Sequence, residues 1–328
     1  MKGTPIPLTS FQLSPRLQRV TLDVRTGLSY PPSEWLPALV QMISLLPSSL
    51  AHFCAFCGQG EDEALQHAMC SLVRRCGSPL RTFETLVPLS ETAILHLMQL
   101  PNLYSWRTSR GPPKITPETI FPSLEQLSLN DLKALPWVQF LASHGQGVSR
   151  SDSVSVARPT KVRDVLKSLE CPQNTVVDSK LLSFLVCPRN LAVLRVQGGC
   201  PRGGDCLFHL TEDDLKKLVA ALPRLKSLRL GSPCGSDACK ITITSLMSIS
   251  AICPDLEDLQ THFDAQNIAR DMQRLIDGGA GRERAGSKLR NLFIGELSLE
   301  LDSEGAETVA KGLKAIFPHL TDFSDCLW

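Results

Sequence analysis

The sequence predicts an α/β repeat solenoid: a horseshoe with parallel strands on its concave side and helices on its convex side. Three observations carry this. A short phrase, Leu-x-x-Leu-x-Leu, recurs along the chain. It follows a helix end, often at a Pro. Amphipathic stretches fill the gaps between copies. Units near one period, each too small to bury an apolar face alone, imply stacking into one continuous core.

The phrase is clearest from Phe121 and Pro122 through Leu124, Leu127 and Leu129, and again from Leu222 and Pro223 through Leu225, Leu228 and Leu230. Related copies run from Cys253 and Pro254 to Leu256 and Leu259, and from Phe317 and Pro318 to Leu320 and Phe323. Looser copies begin at Leu17, Leu50, Leu80, Leu103, Leu166, Leu191 and Leu289, so successive starts are 33, 30, 23, 21, 42, 25, 34, 31, 33 and 31 residues apart. The expected organisation is an N-terminal extension over 1–16 and a single domain over 17–328 of about eleven irregular units, with a loop insertion near 144–160.

Each phrase reads as a short strand, because apolar residues two apart, such as Leu127 and Leu129, turn to one face while Gln126, Ser128 and Asn130 turn to the other. Between phrases, helices are expected over 34–46, 61–76, 91–99, 135–143, 179–186, 244–252, 268–276 and 303–316. The clearest helix starts at Thr211, a capping residue followed by Glu212, Asp213 and Asp214. It continues with Leu215, Leu218, Val219 and Leu222 at helical spacing and stops before Pro223. Gly77 and Gly278 sit where C-terminal caps would. The segments 144–160, 198–207 and 278–287, rich in Gly, Ser and Arg, read as loops.

Bulk properties narrow the function. Hydrophobic residues are 43% and charged residues 20%, too apolar for general disorder. A formal net charge of +1 gives no excess positive field for a phosphate backbone, so nucleic acid is not an expected partner. The longest apolar candidate, 241–253, is interrupted by Thr242, Thr244, Ser245, Ser248 and Ser250 and falls short of the roughly 18 residues that a membrane span needs. The N-terminal segment lacks the apolar run of a signal peptide, which points to the cytoplasm or nucleus. Several of the 12 cysteines, such as Cys171, Cys187 and Cys253, fall at repeat-core positions and read as small buried hydrophobes.

The phrases at Cys187-Pro188-Arg189-Asn190-Leu191, Leu222-Pro223-Arg224-Leu225 and Cys253-Pro254-Asp255-Leu256, with the Ile316-Phe317-Pro318-His319-Leu320 ending, resemble the leucine-rich repeats of F-box proteins. The fungal type with irregular repeats is the nearest in pattern, over about residues 17 to 325. The resemblance implies a ribonuclease-inhibitor-like fold. It also implies a function: the repeats bind a protein substrate, and an F-box holds a Skp-type adaptor in a cullin ubiquitin ligase. Only 16 residues precede the first phrase and no F-box is recognisable, so adaptor and cullin binding would require one further upstream. The alternative is an intracellular scaffold or inhibitor that uses the same repeats without a ligase.

On a repeat surface the contact residues should be the strand positions that face away from the core. Those are Arg19, Thr21 and Asp23; Gln126, Ser128 and Asn130; Arg195 and Gln197; Arg229; Asp258, Gln260 and His262; and Asn291 and Phe293. Most exposed strand residues are simply solvated, since a few dominate any interface. Phe293 is the strongest anchor candidate unless it packs under the 278–287 loop.

No catalytic group or cofactor site is assigned. His52, Cys54, Cys57, His67 and Cys70 could be drawn as a zinc site, but they divide between a strand and the next helix, and convergence would distort the unit. The run 198–204 has glycines but lacks the Lys-Ser/Thr ending of a phosphate loop, and Pro201 removes an amide donor. Neither a nucleophile elbow nor a His-Glu-x-x-His pattern is present. The sequence therefore predicts a noncatalytic protein-binding chain.

Overall fold

The computed structural model describes residues 14–23, 32–57, 62–113, 121–129, 134–145, 165–171, 175–186, 188–196, 209–230, 241–261, 268–277, 287–294 and 303–325. The loop at 198–207 and nearly all of those at 144–160 and 278–287 lie outside these residues, as does Gly278. The chain divides into two compact units, Met1–Asn130 with Ser151–Val162, and Asp131–Arg150 with Arg163–Trp328. Both are α/β, built from alternating strands and helices, and every described strand pairing is parallel.

The first unit orders β1 (Arg19–Asp23), α1 (Pro32–Leu45), β2 (His52–Phe56), α2 (Glu63–Arg75), β3 (Thr82–Thr85), α3 (Glu91–Gln99), β4 (Ser105–Thr108) and β5 (Gln126–Leu129). Each strand pairs with the next in sequence, and each helix packs on the next. The register aligns Val20, Phe53, Phe83, Trp106 and Leu127 as one row across the sheet. Phe53, Phe83, Trp106 and Leu127 are buried, and Val20, on the edge strand, is half-buried. Where the repeats are shortest, aromatic rings replace leucines as filling. Phe53 stacks on Phe83 at 5.4 Å and Trp106 meets Phe121 at 5.3 Å between centroids. Phe121 adopts a left-handed backbone, φ 49°, a conformation costing a side-chain-bearing residue about 1–2 kcal/mol. Its buried ring and a 2.7 Å hydrogen bond from its amide to the Met98 carbonyl offset that strain.

The second unit begins with α4 (Ala134–Gly145) and continues with β6 (Ser168–Cys171), α5 (Ser179–Leu185), β7 (Val193–Val196), α6 (Glu212–Ala221) and β8 (Ser227–Leu230). It then adds α7 (Ile243–Ile252), β9 (Asp258–Thr261), α8 (Ile268–Asp277), β10 (Asn291–Ile294), α9 (Ser303–Ile316) and β11 (Asp322–Asp325). Leu169, Leu194, Leu228, Leu259, Leu292 and Phe323 share one row. The five leucines of that row are at most 1% exposed. Helices supply the other half of this core, for example Leu181 and Leu185 on α5, Leu215, Leu218 and Val219 on α6, and Met272 on α8.

The phrase itself repeats as geometry. The amide of its first leucine closes a turn on the carbonyl three residues earlier: Leu80 on Gly77, Leu124 on Phe121, Leu191 on Pro188, Leu225 on Leu222, Leu256 on Cys253 and Leu320 on Phe317. One carbonyl just before each strand then accepts two successive amides from the following repeat. Gln18 accepts from Ala51 and His52, Ala51 from Arg81 and Thr82, Ala192 from Lys226 and Ser227, Lys226 from Glu257 and Asp258, and Glu257 from Arg290 and Asn291. The thiol of Cys253 adds a side-chain version, donating to the Val219 carbonyl at 3.2 Å where α6 ends. The cysteines at repeat-core positions act as buried filling at Cys171 and Cys253, while Cys187 lies outside the described residues.

Capping explains where helices begin. Asp62 accepts from the Leu65 amide, so α2 starts two residues later than its expected 61. Ser90 and Asp178 cap α3 and α5 in the same way. Thr211 and Asp214 form a reciprocal capping box on α6. Helix α1 starts at Pro32 rather than 34, using a residue whose missing N–H costs nothing in the first turn. At the end of α2 the expected glycine cap is not left-handed: Cys76 is the cap residue, its amide bonded to the Leu72 carbonyl, and Gly77 keeps a negative or extended φ. Among the described residues no helix is long and apolar enough to cross a membrane.

Candidate protein-binding face

Strand alternation leaves one face of each sheet without the leucine ladder. On β2 the burial alternates, with Phe53 and Ala55 buried and His52, Cys54 and Phe56 half-buried. The same alternation holds on β6, β7 and β9. Thr82, Ser105 and Ser227 on the non-ladder face are buried too, since short hydroxyl side chains are covered by longer neighbours.

In the first unit this face carries two lateral rows. Arg19, His52, Thr82, Ser105 and Gln126 form one, and Thr21, Cys54, Glu84, Arg107 and Ser128 the other. Arg19, Thr21, Asp23 and Gln126 are exposed. His52 shares a 3.1 Å hydrogen bond with the Thr82 hydroxyl, and burial followed by the charges of Arg19 and Arg81 lowers its pKa below the usual imidazole value. Arg107 is held three ways. It pairs with Glu84 at 3.6 Å, donates from Nε to the Ser128 hydroxyl at 3.1 Å, and lies 5.7 Å from the Phe56 ring centroid.

In the second unit the corresponding rows are Ser168, Val193, Ser227, Asp258, Asn291 and Asp322, and Glu170, Arg195, Arg229, Gln260, Phe293 and Ser324. The structure therefore brings Arg195, Arg229, Gln260 and Phe293 together on adjacent strands. Asp258 and Asn291 sit in the neighbouring row and are hydrogen-bonded to each other. Arg195 donates to Glu170 at 2.7 Å. Arg229 reaches across the row to lie 6.0 Å from the centroid of the Phe293 ring. The Nε atoms of both arginines are buried and make no hydrogen bond. Phe293 is half-buried beneath a guanidinium, while the 278–286 segment that was its other expected cover is outside the described residues. Asn130, Gln197 and His262 also lie outside them.

Sequence reasoning passed over Glu84, Arg107 and Glu170, three charged residues of these rows. The missing signal was modest. Ser105-Trp106-Arg107-Thr108 and Ser168-Leu169-Glu170-Cys171 carry the same alternation as Val193-Leu194-Arg195-Val196, with Trp or Cys standing at a ladder position.

The thiols and histidines near β2 do not converge. Cys57 is fully buried, Cys54 is on the non-ladder face, and the Cys70 sulfur on α2 accepts the Ser90 amide. Among the described residues no group of three or more His, Cys, Asp or Glu side chains is arranged to hold a metal. Burial pushes the thiols of Cys57, Cys76 and Cys253 up to about 11 and that of Cys171 up to about 12. That is opposite to what a nucleophilic cysteine needs. No protein-family model and no curated protein matches the chain.

Proposed function

We propose that this chain is a noncatalytic recognition protein whose strand–helix units form a leucine-rich-repeat horseshoe, with the non-ladder face of the strands as the concave surface that binds another protein. One observation carries this reading. The internal strands with both faces described turn their larger apolar side chains into the core and leave mainly charged, polar and aromatic side chains, with Val193 among them, on the other face, in register across neighbouring strands. Rows of mixed chemistry on rigid elements suit a macromolecular surface, where specificity comes from a pattern of side chains. The buried, proton-retaining thiols support the noncatalytic part.

The narrower idea, that the bound protein is presented for ubiquitination, draws its support from the repeat phrases alone. Affinity capture from cells, followed by mass spectrometry, tests both levels. A partner lost when Arg195 and Arg229 are both changed to Glu supports recognition through this face. Co-capture of a Skp-type adaptor and cullin supports the ligase reading, whereas a specific partner without them favours a scaffold or inhibitor. A set of captured proteins unaltered by the double substitution refutes the face.

A further inference from the structure

We propose that Arg229, seated against Phe293 on the non-ladder face of the second unit, receives an Asp or Glu carboxylate from the bound protein. This deepens the recognition reading and rests on it.

The argument is one of unmatched charge. Four arginines on described strands lie on the non-ladder face: Arg19, on the edge strand β1, is exposed to solvent, and of the three on β4, β7 and β8 two have an acid of their own, Arg107 with Glu84 and Arg195 with Glu170. Arg107 and Arg229 share a device, a guanidinium laid against a phenylalanine ring, at 5.7 Å from Phe56 and 6.0 Å from Phe293. In Arg107 that device coexists with an ion pair and a hydrogen bond to Ser128. In Arg229 it stands alone: no acid of the described residues pairs with it, and its buried Nε donates to nothing. A guanidinium beside an aromatic ring spends none of its N–H donors on that contact, so they stay available to a planar, two-oxygen acceptor. A half-buried guanidinium without a counter-ion is less favourable than one that is paired. The site is thus half of a charge-assisted, two-pronged hydrogen bond.

The same surroundings select a carboxylate over a phosphate. Beside Arg229 in its row stands Arg195, and the acid of the neighbouring row, Asp258, is hydrogen-bonded to Asn291. Arg195 is already committed to Glu170 at 2.7 Å. A single uncommitted positive charge, with Asp258 in the neighbouring row, balances a monoanion and would leave most of a phosphate dianion's charge unmatched.

The test uses the full chain and a random-sequence peptide library displayed on phage. Peptides enriched by the chain are expected to share an Asp or Glu, and changing that residue to Asn or Gln should weaken binding about 10- to 100-fold. This arm needs no variant of the protein to fold. Against the Arg229→Gln chain the acidic and amide peptides should bind equally, which is the coupling that a double-mutant cycle reads. Arg229→Lys, which keeps the charge and loses the fork, should recover only part of the difference. Phe293→Leu should weaken the acidic peptide alone. Enriched peptides whose acids are dispensable, or whose binding ignores Arg229→Gln in a chain that melts normally, overturn the proposal and leave protein recognition standing. If no peptide is enriched, the recognition reading falls with it.

Discussion

Leu228 and Arg229 are adjacent in sequence and face opposite sides of β8, so replacing each with alanine isolates what the repeat register means energetically. Leu228 is fully buried between Leu194 and Leu259 in the ladder. Removing its side chain forfeits about 2 kcal/mol of transfer free energy and leaves a cavity in a packed row. The total expected cost is about 3–4 kcal/mol. Arg229 contributes mainly its contact with the Phe293 ring, and its loss should cost no more than about 1 kcal/mol. Native-state hydrogen exchange gives the sharpest local measurement, because a repeat array opens in neighbouring units. Amides on β7, β8 and β9 should exchange about 100- to 1,000-fold faster in Leu228→Ala and no more than a few-fold faster in Arg229→Ala. In urea, the midpoint for the second unit should fall by about 1–2 M for the first variant and stay nearly unmoved for the second. Equal effects of the two substitutions, or a silent Leu228→Ala, would refute the register and with it the proposed recognition face.

Gly312 on α9 sits against Met272 on α8: a Cβ there would lie 2.6 Å from the Met272 sulfur and 3.2 Å from its Cβ and Cγ. Gly312→Ala should therefore lower the melting temperature through an overpacking cost of about 1–3 kcal/mol, reversing the gain of nearly 1 kcal/mol that alanine normally brings to a helix; a stabilised variant would show that the two helices are not so closely packed. Thr211→Ala removes half of the α6 capping box and should cost about 1 kcal/mol in thermal or chemical unfolding. It should also flatten the acid limb of the stability profile. Burial pushes the Asp214 carboxyl up, but hydrogen bonds from the Thr211 hydroxyl and amide and from Ser179 hold it below its ordinary range, so this group's stabilisation is present above the ordinary carboxylate pKa and is lost as pH falls through the lowered one. Alkali acts through the thiols in the opposite sense. Cys57, Cys76 and Cys253 keep their protons up to about pH 11 and Cys171 to about 12 in the folded chain, against 9.0 for the free group. The stability they confer is whole below pH 9 and declines as pH rises from there to those values. Peptide-resolved alkylation at pH 8 should label these four only after denaturant is added, and rapid labelling of the native chain would contradict their burial.

The architecture was readable because a two-residue alternation inside a repeat of roughly 30 residues leaves little choice of face. The bounds of α3 and α9 are those the sequence predicts, and the other described helices shift by at most a few residues where a cap such as Asp62 takes over the first position. The first unit was less legible since Phe83, Trp106 and Thr85 occupy ladder positions where the phrase expects leucine. Site chemistry was legible as position but not as partnership. That Arg195 points away from the core follows from Leu194 beside it. That Glu170 neutralises it, and that Arg229 spans Gln260 to reach Phe293, depends on which strands lie side by side. Pairing across distances of 25 and 64 residues leaves no local trace in a single sequence.

The carbonyl that accepts two amides from the next repeat has an evolutionary corollary. It fastens consecutive repeats at a single peptide group, so the spacing between strands is indifferent to how much chain connects them. Starts 23 residues apart at Leu80 and Leu103 use the same fastening as starts 34 apart at Leu191 and Leu225. Insertions and deletions in the connecting helices and loops can accumulate while the order of residues along the strand rows is preserved, which lets such a chain change in length without reordering those rows.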